Sequence, residues 1–251
     1  MWTRALAQAR DFVDLEKISL DRAMHEAAGW AKGDLLDVGC GDKPYEVIFA
    51  PHVAKYVGVE YDDTYSTSDN ATKGKADVVY SGDRLPFEDA SFDTVLSNQV
   101  AEHVPDPDAF FAELVRVLRP DGRLIVTVPF SYRVHSEPHD YHRFTRFALA
   151  RYAKKYGLAT DVLRERGLFW SVIGQKLTSH LALRGARLGG EFQRVGAFGY
   201  EAKMRQRPRY WALPIVAPAI LGVAAAARVL DRLDPDDSDT IGYLLIATKR
   251  R

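Results

Sequence analysis

The stretch DLLDVGCGDKPYEVIF, residues 34–49, decides how the rest of the chain is read. A mostly apolar run from Leu35 to Val38 surrounds Asp37 and leads into Gly39 and Gly41, the pattern of a strand whose backbone then makes room for a ligand. The pyrophosphate fingerprint G-x-G-x-x-G needs a glycine at position 44, because the third glycine lets the following helix bring its N-terminus close to the phosphates. Pro44 stands there. A nucleoside without a pyrophosphate therefore suits this turn better than a dinucleotide. Glu60 closes the second strand pattern about twenty residues on, where a carboxylate can accept both hydroxyls of a ribose. Asp37 and Glu60, placed together with the glycines, are read as ligand contacts rather than ordinary strand ends. Cys40 is read as a small residue packed against the ligand, not as a nucleophile.

Outward from this stretch, strand and helix patterns alternate. YVGVEY, ADVVYSG, FDTVLSN and GRLIVTVPF read as further strands. Between the last two, Phe110, Phe111, Leu114, Val115 and Leu118 recur at helical spacing, with Pro120 and Gly122 closing the helix. Such alternation argues for an α/β fold with a largely parallel sheet covered on both faces. Residues 3–29 read as one or two helices, with Phe12, Leu15, Ile18 and Leu20 roughly on one face and Gly29 as a stop. Thr145 caps a helix that runs to about Tyr156. LATDVLRERG and IGYLLIATKR read as the sixth and seventh strands.

Composition narrows the function. The 251 residues carry 34 basic and 34 acidic side chains, so no bulk field points to nucleic acid as a partner. With one cysteine there is no intramolecular disulfide and no Cys-rich metal site. A reducing, cytoplasmic setting is expected, and the charged N-terminus lacks the apolar core of a signal peptide.

The segments LLDVGCGDKPY, VGVEYD, SGDRLPFEDASFDTVLSNQVAEHV and FFAELVRVLRPDGRLIVTVP, in this order, resemble the class I S-adenosylmethionine (SAM)-dependent methyltransferases, in particular the small-molecule branch called type 11. The resemblance is strong over about two fifths of the chain. It implies a Rossmann-like seven-stranded sheet of order 3-2-1-4-5-7-6 with the last strand antiparallel. SAM would be the cofactor and S-adenosylhomocysteine the product. The resemblance puts Asp37, Gly39, Cys40 and Gly41 around the methionine portion, Glu60 on the ribose, and Tyr61 beside the adenine. Asp83 would accept from the adenine amino group, Arg84 would lie against the ring edge, and Asn98 and Gln99 would line the floor near the sulfonium. Asp83 has the alternative of shaping the turn before Pro86. His103 is read as orienting its loop rather than as a base.

A second constellation, HSEPHDYHRFT, follows the fifth strand and so lies over the mouth of the same pocket. His135, Glu137, Asp140, Tyr141 and Arg143 are read as acceptor-binding residues, and His139 and His142 as candidates for a general base, since an imidazole near neutral pKa can take a proton from an attacking hydroxyl. A hydrogen-bonded gate without a base ranks second and a metal site third. The expected reaction is direct displacement onto a small-molecule or glycan-like acceptor, with oxygen the favoured nucleophile. Alternatives are nitrogen or carbon methylation of a small metabolite or lipid-linked acceptor, or non-catalytic SAM binding.

The sequence divides into an N-terminal helical lid (1–33), an α/β core (34–169), a helical insertion or substrate cap (170–240) and a final core strand (241–251). The insertion contains seventeen uncharged residues, Trp211 to Ala227, preceded by Arg205, Arg207 and Arg209. A membrane span needs about twenty apolar residues, and a single crossing would put the sixth and seventh strands on opposite sides. The segment is expected to pack internally or form a homodimer face; the other reading is peripheral membrane contact through 205–230.

Overall fold

The computed structural model describes residues 13–62, 75–136, 138–185, 192–195, 199–202 and 209–250. Glu137, Phe12, Arg205 and Arg207 lie outside the described residues, as does most of the stretch before α1 (Leu15–Ala28). The chain forms two compact units. One comprises residues 22–130, 141–164 and 242–251; the other comprises 1–21, 131–140 and 165–241.

The first unit is built on the large sheet. Its strands are β1 (Asp34–Val38), β2 (Lys55–Tyr61), β3 (Val78–Tyr80), β4 (Phe92–Asn98), β5 (Leu118–Pro129) and β6 (Leu158–Arg166). Two short strands of the other unit, β7 (Phe192–Val195) and β8 (Gly199–Ala202), precede β9 (Gly242–Lys249), which completes the sheet. The order is β3-β2-β1-β4-β5-β9-β6, or 3-2-1-4-5-7-6 when only strands of this sheet are counted. β1 pairs in parallel with β2 and β4, β4 with β5, and β9 runs antiparallel to β5.

Both faces are apolar, as a sheet covered on both sides requires. Leu36 pairs with Val57 and Val95, and this face meets Phe111, Leu114 and Leu149 in one core cluster. The alternate residues Leu35, Leu96, Ile125 and Ile246 are fully buried on the opposite face. Each such side chain contributes about 1.5–3 kcal/mol through burial. The short helix α2 (Glu46–Phe49) follows β1.

Helix α3 (Pro107–Val117) starts where Asp106 accepts from the amides of Asp108 at 3.0 Å and Ala109 at 3.1 Å, with Pro107 at the first turn. It ends earlier than the helical spacing predicts. The restriction on a residue preceding proline, here Arg119, favours extended backbone, and Leu118 already pairs with Phe92. The register then jumps to Thr94 opposite Arg123, so residues 119–122 loop out, with Asp121 at φ 62°. Thr145 accepts from the amide of Ala148 at 3.2 Å and opens α4 (Arg146–Lys155), as expected.

The second unit is helical. α5 (Phe169–His180) packs on α6 (Leu213–Leu233), and Leu15, Val172, Ala224, Ala227 and Ile241 form one of its cores. The hairpin β7–β8 between these helices carried no strand signal in the sequence.

Loss of the α3 cap checks this account. Asp106→Ala should lower stability by about 1 kcal/mol in urea unfolding, within the usual range for an N-cap. An unchanged midpoint would show that the cap does not hold α3.

Candidate active site

The C-terminal ends of β1, β2 and β4 lie side by side, because Val38 pairs with both Val59 and Ser97. Here the chain leaves β1 through Gly39 at φ 73°, and a Cβ on Gly39 would lie 2.5 Å from Val100 Cγ2. Only glycine fits both the dihedral and the space. The turn is bonded to the end of β2: the amides of Gly39 and Cys40 donate to the Val59 carbonyl at 2.9 and 3.3 Å, and the Gly41 amide donates to Glu60 Oε2 at 2.8 Å. The Glu60 carboxylate also accepts from the Tyr61 amide at 3.1 Å. A carboxylate offers about four acceptor sites, so two remain for hydroxyls of a ligand. α2, which follows the turn, is only four residues long and opens with Glu46, a poor seat for a phosphate.

Asp37 is buried on the same level, and the Tyr56 hydroxyl donates to its Oδ2 at 2.6 Å. Burial pushes the Asp37 carboxyl up to about 7; the Tyr56 hydrogen bond opposes the shift and the Glu60 carboxylate adds to it. Burial, followed by these two carboxylates, raises the Cys40 thiol to about 12, which keeps it protonated and unreactive at neutral pH.

Asn98 is the last residue of β4, and Gln99 follows at φ 56°. Gln99 Nε2 donates to Thr127 Oγ at 3.3 Å, and Thr127 donates to Asn98 Oδ1 at 2.6 Å. Both side chains are thus tied to β5. Tyr61 is 47% exposed and meets Tyr80 edge to face at 5.4 Å. Asp83 stands exposed in the bend after β3. Arg84 is exposed and pairs with Asp89 at 3.3 Å, within its own loop.

The polar cluster after β5 divides between the two units. In the helical unit, Asp140 accepts from the His135 amide at 2.9 Å, and its carboxylate lies 3.3 Å from His135 Nδ1. The His139 amide donates to the Ser136 carbonyl at 3.0 Å. In the sheet unit, the amides of Tyr141 and His142 both donate to the Glu102 carbonyl, at 2.9 and 3.2 Å, and Arg143 donates to the His142 carbonyl at 2.8 Å. His142 Nε2 is buried without a hydrogen-bond partner among the described residues. Its ring lies 5.6 Å from that of Phe144.

Two residues that the sequence reading passed over belong to this geometry. Tyr56 shares a face with Gly58 and Glu60 by simple strand alternation, and Asp37 pairs with Gly58, where a Cβ would lie 2.4 Å from Lys43 Cε and 2.8 Å from Cys40 Sγ. That alternation was the available signal. Glu102 is fully buried beside His103, with Oε1 3.7 Å from His103 Nε2. Its main-chain role has no sequence signal.

Residues 36–126 match a family model described as a methyltransferase domain. A protein of Mycobacterium sp. (strain JLS), named as an uncharacterized methyltransferase, is 40% identical over 131 residues, covering 49% of this chain and 50% of the relative. One of Mycobacterium avium (strain 104) with the same description is 39% identical over 137 residues, 49% of this chain and 51% of the relative. The chain spans about half the length of the curated relatives it matches. The solved Haemonchus contortus phosphoethanolamine N-methyltransferase 2, in complex with S-adenosyl-L-methionine, has a similar fold with a TM-score of 0.52 at 19% identity, covering 91% of this chain and 52% of that one. The matched segment lies within the sheet unit, whose strand order is that of a methyltransferase-type fold.

A raised carboxyl has a stability consequence. The folded state holds the Asp37 proton up to about pH 7, whereas an unfolded aspartate releases it near 3.9. This contribution is complete below the unfolded value and is lost as pH rises through 7. Asp37→Asn should therefore be more stable to urea than wild type at about pH 8, by at most about 4 kcal/mol, and the gain should shrink toward pH 5. A difference independent of pH would refute the buried carboxyl.

Proposed function

We propose that the protein transfers a methyl group from SAM to a small-molecule or glycan-like acceptor, with an oxygen nucleophile. The observation that carries the donor half is the juxtaposition of Asp37, Glu60 and the Gly39–Gly41 turn at adjoining strand ends. A ligand with a ribose, an ammonium and a sulfonium wants carboxylates and carbonyls, and the turn is open at Gly41, where a Cβ would meet nothing within 4 Å. Glu60 has acceptor capacity left for the ribose, and Asp37 supplies negative charge toward the cationic amino-acid portion. Tyr61 and Asp83 would meet the adenine, while Asn98 and Gln99, fixed by Thr127, would form the floor.

The bound donor supplies an activated methyl group, which leaves this chain the tasks of positioning an acceptor and removing its proton. His142 is favoured over His139 as the base. Its Nε2 is sealed from bulk water with no protein partner among the described residues, which suits a nitrogen that accepts a proton only when a hydroxyl is presented. The backbone of His142 is held on Glu102, so the ring is positioned before an acceptor arrives. Atoms balance simply: the acceptor oxygen gains the methyl group, its proton passes to His142, and the neutral thioether product leaves. Tyr141 and Arg143, on the same unit as His142, would contact the acceptor.

Titration calorimetry with SAM tests the donor site. Wild type should bind, and affinity should rise with pH through about 7 as Asp37 ionises. Asp37→Ala and Glu60→Ala should each weaken binding by at least tenfold; undiminished binding in both would sink the assignment. For the base, methyl-labelled SAM is incubated with a small-molecule extract of the source cells. His142→Ala should bind SAM normally and lose roughly a hundredfold in product formation, at the low end for a general base. Full activity in that variant would remove His142 from the chemistry.

A further inference from the structure

Lys43 stands in the turn after β1 at φ 53°, a left-handed conformation that is costly for a residue with a Cβ. Its amide donates to the Cys40 carbonyl at 2.8 Å, which holds the turn in that shape. From there the side chain crosses β2. Its Cε packs so closely on Gly58 that a Cβ at that position would lie 2.4 Å away, and only 6% of the lysine side chain is exposed. Nζ then reaches Asp77, the residue before β3, at 2.5 Å.

Two carboxylates flank Gly58. β2 lies between β1 and β3 in the sheet. Asp37 is the β1 partner of Gly58, and Asp77 is on the β3 side, where its Oδ2 accepts from the Gly58 amide at 2.7 Å. Asp37 is buried, and Asp77 is half-exposed. Opposite charges attract more strongly where the surroundings are less polar, so Asp37 is the competing partner for this ammonium. The distance is short: Nζ lies 5.9 Å from the centre of the Tyr56 ring, whose hydroxyl is on Asp37. A lysine stem is flexible enough to swing its charge from one carboxylate toward the other. Asp37 is also faced by the Glu60 carboxylate of β2 and by Glu46 of α2, both of which repel its charge; Asp77 is also faced by Lys55 at the start of β2.

We propose that Asp77 is a positioning residue for the donor seat, holding the Lys43 ammonium on the β3 side of Gly58 so that the Asp37 carboxylate meets the cationic part of the ligand rather than an internal lysine. The inference rests on the donor reading above. SAM brings an ammonium and a sulfonium, and a lysine paired with Asp37 would occupy the carboxylate and repel both. The buried stem, the left-handed backbone at Lys43 and the glycine at position 58 together route this cation past Asp37 and onto its anchor.

Asp77→Asn keeps an acceptor for the Gly58 amide and removes the charge that anchors Lys43. In titration calorimetry at pH 8 it should weaken SAM binding roughly tenfold, the low end for an opposite charge beside a buried carboxylate. The rise in affinity through about pH 7 should flatten, because the released ammonium keeps Asp37 ionised at lower pH. Adding Lys43→Met to Asp77→Asn should restore both the affinity and the pH dependence, which a merely structural role for the ion pair would not allow. Carbon NMR of the unliganded protein gives a second readout: the Asp37 carboxyl should titrate lower in Asp77→Asn than in wild type. Unchanged binding and an unchanged Asp37 titration in Asp77→Asn would overturn the proposal, as would a double variant that binds no better than Asp77→Asn. Wild type that does not bind SAM would refute the donor reading, and the NMR titration would still decide whether Asp77 keeps Lys43 off Asp37.

Discussion

A carboxylate buried at the end of β1 is the constraint around which the sheet unit is arranged. Taking Asp37 out of water is costly, and the fold compensates in part with one short hydrogen bond from Tyr56, two residues before Gly58, against which Lys43 and Cys40 pack. Lys43 joins the same support. Its ammonium bonds Asp77 at 2.5 Å and lies 5.9 Å from the centre of the Tyr56 ring, while Asp77 also accepts from the Gly58 amide at 2.7 Å. The glycine turn, the β2 terminus and the chain entering β3 are thus tied together below one charged group. A buried carboxyl with one hydrogen bond costs stability, and the proposed cation-binding site would give it a use.

Much of this was legible in the sequence because the relevant signals are local. The apolar runs marked β1, β2, β4 and β5, Asp37 and Glu60 marked strand ends, and Thr145 marked a helix start. The strand order came through the resemblance to class I methyltransferases rather than through any pattern of spacing, and the observed sheet has that order. Where backbone pairing overrode periodicity the reading slipped: Leu118 fits the apolar stripe of α3 but is the first residue of β5.

The rest depended on contacts between distant residues. Nothing in HSEPHDYHRFT indicates that the segment divides between two compact units after Asp140, or that the Glu102 carbonyl holds Tyr141 and His142. Arg84, whose expected role came from the family, is engaged by Asp89 in its own loop. The insertion was recognisable as structured from its length, but its hairpin was not, and the helix that was expected to pack internally or dimerise buries only its inner stripe.

The central claim is that Asp37, the Gly39–Gly41 turn and Glu60 form one seat for an amino-acid-bearing nucleoside. A crystal structure of the protein grown with S-adenosylhomocysteine tests this most directly. The account predicts ribose hydroxyls within hydrogen-bond reach of Glu60, the homocysteine portion against the glycine turn, and Tyr56 still on Asp37. A nucleoside bound away from these strand ends, or its ribose turned from Glu60, would contradict it.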